Sequence, residues 1–273
     1  MKLSRLDTPD GRFYIYTYDQ NATFEKGGFI LMPSVTTVLG SVGNAKLQKL
    51  EDEIGKEELA KIGAKAARRG TAMHQFLENY FVCMKQGKTP DDCLLYTQKK
   101  TPLDLMRQGL AEDSIKQGRD LFYNLLYEGY LDRVRRVLFT EQFLYSINHK
   151  FAGTTDFGYL SLSNFLTITD FKSANGVKDE ETIRKYLLQA AAYVIGCEEI
   201  YKKKVHHAEL WISHPMGTQE VTLAGAEMEL KKTEFLDILS DFHSKWNAKE
   251  IIEKYHKNIK NTINGSESEN NAG

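Results

Sequence analysis

Asp156, Asp170 and Lys172 are the residues whose types and spacing are best suited to joint chemistry. They lie in T-T-D-F-G-Y-L-S-L-S-N-F-L-T-I-T-D-F-K-S-A, residues 154–174. Tyr159-Leu160 and Phe165 to Ile168 have strand composition, and Ser161 to Asn164 is a cluster of turn residues. A three-residue loop, Leu162-Ser163-Asn164, with Asn164 in the left-handed conformation, makes this a β-hairpin. Its register then sets Leu160 against Leu166, Gly158 against Ile168 and Asp156 against Asp170. Directly opposed residues share a face, with Cβ atoms about 5 Å apart. Lys172 follows Asp170 by two and projects from that same face. A loop of even length would instead put the two aspartates on opposite faces.

Two opposed carboxylates repel each other. A divalent cation removes the repulsion, and Mg²⁺ favours such oxygen ligands. A lysine beside the ion can steady developing negative charge. Further residues of the same chemistry stand elsewhere. His74 lies on the apolar stripe of a helix, four residues after Gly70. Gln189 and Tyr193 share one face of a later helix. Glu141 lies in a strand candidate upstream of the hairpin.

Together these motifs resemble the PD-(D/E)xK nuclease superfamily. The pattern D-(x)13-D-F-K, with Glu141 upstream, resembles its general signature. Gly70-x-x-x-His74 and Gln189-x-x-x-Tyr193 resemble the RecB-like branch. R-G-T-A-M-H (69–74) and P-S-V-T-T-V-L (33–39) are similar to segments of the mitochondrial genome maintenance exonucleases and related phage exonucleases. The resemblance spans roughly Pro33 to Tyr193. It implies an α/β fold with a restriction-endonuclease-like core: a central mixed β-sheet flanked by helices, with helical N-terminal and inserted segments. It implies a metal-dependent deoxyribonuclease, an exonuclease on single-stranded or end-processed DNA in recombination, replication or repair. Mg²⁺ or Mn²⁺ is then expected on His74, Asp156, Asp170 and the Phe171 carbonyl. Lys172, Asp156, Asp170 and Glu141 are the expected catalytic residues. Gln189, Tyr193, Ser34 and Thr36 are expected along the DNA. DNA with free ends is the expected partner, with a helicase or recombination protein as a second. A structure-specific endonuclease, a DNA-binding protein without catalysis and a metal-dependent enzyme acting on another phosphate ester are the rival readings.

The elements that must position these residues are partly legible. Residues 12–18 alternate and are aromatic, which predicts a strand, and Gly27-Gly28 turns the chain so that Phe29 to Met32 pairs back. Ser34 suits an N-cap to a short helix over Val35 to Leu39. Glu57 to Phe81 has helical periodicity from Leu59 and Ile62 to Leu77 and Phe81. Small residues at 63, 66, 67 and 70 predict close packing against another element. Lys61, Lys65, Arg68 and Arg69 crowd its flank, and Arg69 is the expected phosphate contact among them. Residues 85–104, with Pro90 and Pro102, read as a loop or small insertion. Leu103 to Tyr130 reads as helical, with Gly109 and Gly118 as breaks. Val134 to Ile147 is a strand. A helix starting at Asp179-Glu180-Glu181 reaches Lys204, its acidic start and basic end matching the helix dipole. Arg184 and Lys185 near its start, and Ser173 after Lys172, are further candidates for DNA phosphates. Ala208 to Ser213 and Gln219 to Leu223 are strands, and Glu227 to Tyr255 one long helix.

The expected domain is 1–257, with a core over about 55–82 and 134–224 and a helical insertion over about 85–130. Residues 258–273 are rich in Asn, Ser, Gly and Glu and read as a disordered tail. The chain of 273 residues, 41% hydrophobic and 27% charged, has a globular composition. No apolar run suits a membrane span, and the first residues lack a signal peptide's apolar core. A cytoplasmic setting is therefore expected. Three scattered cysteines, Cys83, Cys93 and Cys197, cannot supply four thiolates, so no iron–sulfur cluster is expected. The net charge of −1 excludes a broadly basic nucleic-acid binder and leaves any such role to local charge.

Overall fold

The structure is a computed structural model that describes residues 2–19, 22–24, 26–43 and 45–268. Its centre is a five-stranded mixed sheet in the order β4-β5-β6-β7-β8. The strands are β4 (Val134–Ser146), β5 (Phe151–Ser161), β6 (Leu166–Ser173), β7 (His207–His214) and β8 (Gly217–Ala224). Only β6 and β7 pair in parallel, because a long helix, α6 (Glu180–Tyr201), carries the chain back between them. Helices cover both faces, giving the α/β restriction-endonuclease-like core. Alternation along the strands divides the two faces. Phe157, Tyr159, Phe171 and Trp211 pack toward α3 (Lys56–Lys85), α4 (Pro90–Arg107) and α5 (Glu112–Tyr127). Leu166, Ile168, Leu210 and Ile212 pack toward α6 and α7 (Gly225–Lys245).

The β5–β6 hairpin has the expected register. Leu160 opposes Leu166 and Gly158 opposes Ile168. Asn164 has φ 63°, and its N–H donates to the Ser161 carbonyl at 2.9 Å. Pairing stops at Phe157 and Thr169, one residue short of the aspartates.

A second, three-stranded antiparallel sheet holds β1 (Lys2–Thr8), β2 (Gly11–Thr17) and β3 (Phe29–Pro33). The strand β1 went unread in the sequence. After β3, Ser34 caps α1 (Val35–Gly40), its hydroxyl accepting from the Thr37 N–H at 3.0 Å. Ser34 also bridges to Ala152 of β5, which ties this segment to the central sheet. A further helix, α2 (Ala45–Ile54), leads into α3.

Several expectations are corrected. Residues 85–104 are mostly helix, not loop. Pro90 occupies the first turn of α4, where its missing N–H costs nothing, and Thr89 caps it. The buried stripe of α4 is Cys93, Thr97, Thr101 and Leu105, largely small or polar residues that hid its amphipathicity. Gly118 does not break α5. It is buried where a Cβ would collide with Ala72 of α3. Gly109 does end a helix, at φ 82°. The expected close packing of α3 starts only near Gly70, where an added Cβ would lie 3.1 Å from Ser173 Oγ. The helix α6 ends at Tyr201, so Lys202 to Lys204 lie at and beyond its cap. The predicted helix 227–255 is interrupted at Trp246-Asn247, and α8 (Ala248–Lys254) follows. Residues of the expected tail form α9 (His256–Ser268). Ile259 and Ile263 of α9 are buried against Leu6, Phe13 and Ile15 of the small sheet. Positions 269–273 of that tail lie outside the described residues. Among the described residues, no helix is long and apolar enough to cross a membrane.

Candidate active site

The hairpin face that holds Ile168 continues to Asp170 and Lys172, under α6. Where β5 and β6 stop pairing, the Asp156 side chain fills the gap, and its Oδ2 accepts from the Phe171 N–H at 2.6 Å. Asp170 is 3% exposed, and its carboxylate forms an ion pair with the Lys172 ammonium. That ammonium also donates to Gln189 Oε1 at 3.2 Å and lies 5.1 Å from the centre of the Tyr186 ring. Gln189 Nε2 in turn donates to the Tyr193 hydroxyl at 2.8 Å. The four-residue spacing on α6 thus makes one chain of bonds from Tyr193 to Lys172 and Asp170. Gly153 of β5 is bare because the Tyr193 ring passes over it; a Cβ there would lie 2.7 Å from Cε1.

His74 reaches the same place from α3. Its Nε2 bonds to the Phe171 carbonyl at 3.0 Å, so that nitrogen carries the proton. Its Nδ1 faces Asp156 Oδ1 at 3.6 Å and Glu141 Oε1 at 4.0 Å. This is how a ligand histidine is usually held: one nitrogen fixed by a carbonyl, the other turned to the ion. Glu141 sits between the pairs Thr140–Phe157 and Gln142–Thr155 and has φ 46°. A non-glycine residue in that conformation inside a strand is uncommon and locally costly.

One ligand atom each from His74, Glu141 and Asp156 lies within 4.8 Å of the other two. Asp170, expected as a ligand, stands outside that group and is engaged by Lys172. The Phe171 carbonyl, also expected as a ligand, serves the imidazole.

The electrostatics show a site short of positive charge. Burial raises the Asp170 carboxyl to about 6, with Asp156 adding to the rise and Lys172 opposing it. Burial also raises Asp156, although His74 and Lys172 pull it down. Burial disfavours the charged forms of His74 and Lys172 as well, yet the neighbouring carboxylates outweigh it in both. Asp156 and Glu141 hold the imidazolium up to about 9, and Asp170 and Asp156 raise the ammonium. Carboxylates that hold protons above their usual range beside an imidazole are suited to trading those protons for a divalent cation. One nitrogen with carboxylate oxygens is a donor set for a divalent cation.

A cavity of about 360 Å³ gathers Glu141, Asp156, Asp170, Lys172, Gln189 and Tyr193 with Ser34 and Thr36. The Ser34 hydroxyl there is committed to its cap and lies 2.9 Å from each of the Thr36 and Thr37 hydroxyls. Arg5, Arg12 and Tyr14 of the small sheet line the same cavity and were missed in the sequence. The register sets Arg5 opposite Tyr14 and Asp7 opposite Arg12, so all four share one sheet face. Asp7 accepts from Arg5 Nε at 2.7 Å and from Arg12 Nε at 2.9 Å. The signal was the alternation of Leu3, Arg5 and Asp7, too short to stand out without its partner strand. The remaining phosphate candidates lie outside this cavity. Arg69 bonds to Asn175, and Ser173 meets Gly70. Arg184 is paired with Glu234. Lys185 donates to the Gly43 carbonyl at 3.3 Å and neighbours Glu181. Lys185 lines an adjoining cavity that shares Thr36 and Gln189 with the first.

No family model matches the chain, and no curated protein matches it. Among solved structures it is similar in part to SSO0001, at 17% identity over 57% of this chain and 71% of that one, with a TM-score of 0.35. It is also similar in part to a Eubacterium rectale protein described as a candidate exonuclease. There the identity is 11% over 66% of this chain and 69% of that one, with a TM-score of 0.39.

Proposed function

We propose that this chain is a metal-dependent deoxyribonuclease of the PD-(D/E)xK type, in the RecB-like branch. It acts as an exonuclease on single-stranded or end-processed DNA. The observation that carries this reading is the meeting of His74, Glu141 and Asp156 beside the Asp170–Lys172 pair, all at the open end of one hairpin. A site for a hard cation next to a fixed ammonium group is what phosphodiester hydrolysis requires.

A divalent cation held by His74, Glu141 and Asp156, with Asp170 beside them, would polarise a phosphate oxygen and acidify water. Lys172, kept protonated by Asp170 and Asp156, offsets the negative charge that gathers on the phosphate oxygens during in-line attack. Gln189 holds the lysine by its carbonyl oxygen and is itself held by Tyr193. Arg5 and Arg12 present guanidinium groups across the cavity, suited to backbone phosphate. The product then carries a 5′-phosphate. DNA is the partner, with a helicase or recombination protein supplying ends.

End-labelled linear and circular single strands, incubated with and without Mg²⁺ or Mn²⁺, test the reading. Expected is loss of the linear strand only, and only with metal. Digestion of the circle would show an endonuclease, and digestion in EDTA would remove the metal from the mechanism.

A further inference from the structure

A second cavity, of about 690 Å³, lies beside the site and plays no part in the chemistry above. Its size is within the range of about 300–1,000 Å³ typical of small-molecule pockets. One wall is the exposed first half of α3, and the opposite wall is α5. The turn after β6 and the β7–β8 turn supply Asn175 and Pro215. Asn175 stands three residues beyond Lys172, and Arg69 one residue before Gly70, where an added Cβ would lie 3.1 Å from Ser173 Oγ. The cavity and the candidate active site therefore share the end of β6 and one turn of α3.

The lining is mixed in a particular way. Ile62, Leu121 and Pro215 give it an apolar surface. Ile62 is 45% exposed on this wall. Arg69 and Lys65 give it positive charge. Among the described residues no carboxylate pairs with Arg69. Its side chain bonds to Asn175, and its Nε is buried with no hydrogen bond. Burial also lowers its affinity for the proton. Asp120, the one acid lining the cavity, lies 4.0 Å from Arg119 instead. A half-buried guanidinium without a counter-charge is costly and is relieved by an anion. Amide groups complete the lining. Asn124 spends its Nδ2 on the His214 carbonyl at 2.7 Å, a bond that uses none of its carbonyl oxygen's capacity.

We infer that this cavity binds one nucleotide unit of the substrate strand next to the cut. The base lies against Ile62, Leu121 and Pro215, and the phosphate pairs with Arg69 and Lys65. The inference rests on the nuclease reading for the strand as the source of the ligand. Binding itself is measured without cleavage, so the two can fail separately.

The experiment is calorimetric titration of the full chain in EDTA with dAMP, deoxyadenosine and inorganic phosphate, followed by competition with a short single strand. Expected is one dAMP per chain, with weaker binding of either half alone. Arg69→Gln should weaken dAMP by about tenfold or more, the usual cost of losing a charge-assisted bond. Ile62→Asp should weaken dAMP more than phosphate. Asp170→Asn should leave dAMP binding unchanged, which separates this cavity from the metal group. Unchanged melting temperatures exclude misfolding of the variants. Phosphate binding as tightly as dAMP, or Arg69→Gln without effect, would overturn the nucleotide pocket. Failure of the single strand to displace dAMP would overturn its assignment to the substrate strand.

Discussion

Lys172 is held on three sides, by Asp170, Gln189 and the Tyr186 ring. Each contact favours the charged form or fixes its direction, which is what the catalytic role proposed for Lys172 needs. Lys172→Ala and Asp170→Asn should each lower cleavage by about 10²-fold or more, with circular dichroism and melting close to the parent. Digestion by either variant at the parental rate would refute the catalytic role of that residue. The protonation pattern gives a second expectation, for the metal-free protein. Asp170 and His74 both hold protons more tightly folded than unfolded. The folded state therefore binds more protons, and stability must fall as pH rises. Asp170 contributes to that fall between its ordinary value and about 6, and His74 between its ordinary value and about 9. Melting in EDTA should accordingly fall from pH 5 to pH 9, and added Mn²⁺ should restore more at the alkaline end. A melting temperature that rises with pH over that range would contradict this site.

At the scale of elements, the hairpin was legible because its turn residues and its parity agree. Asn164 fixes the loop, the loop fixes the register, and the register fixes which side chains share a face. Asn164→Gly should be nearly neutral and Asn164→Val destabilising by about 1–2 kcal/mol, read as a shift in denaturant midpoint. The helices α4 and α5 were less legible for a physical reason. Their contacts with α3 use Thr97, Thr101 and Gly118, residues that carry no apolar signal on their own. Small side chains reveal a close approach only once the partner is known. Gly118→Ala should destabilise by about 1–3 kcal/mol through overpacking against Ala72, although the same change favours an isolated helix. The ligand role expected of Asp170 came from strand parity and from the family resemblance together. Parity placed the residue correctly but could not show that Lys172 takes up its carboxylate, nor that Glu141, at a left-handed φ, brings its carboxylate near His74.

At the scale of the molecule, composition indicated a globular protein and the resemblance an α/β fold, and neither gave a hint that a second sheet lines the cavity of the candidate site. One face of that sheet is covered by α9, whose polar composition reads as a tail. Ile259→Asp, at a position with no exposure, should cost about 3 kcal/mol or more by burying an unpaired charge, seen in a melt. The fastening is reinforced outside the core, where Asp10 accepts from Lys254 at 2.7 Å and from Tyr255 at 2.8 Å. These partners stand 244 and 245 residues apart in the chain. The arginine-bearing side of the cavity is thus fastened by α8 and α9. Loosening those two helices would shift Arg5 and Arg12 at the cavity while leaving His74, Glu141, Asp156, Asp170 and Lys172 in place.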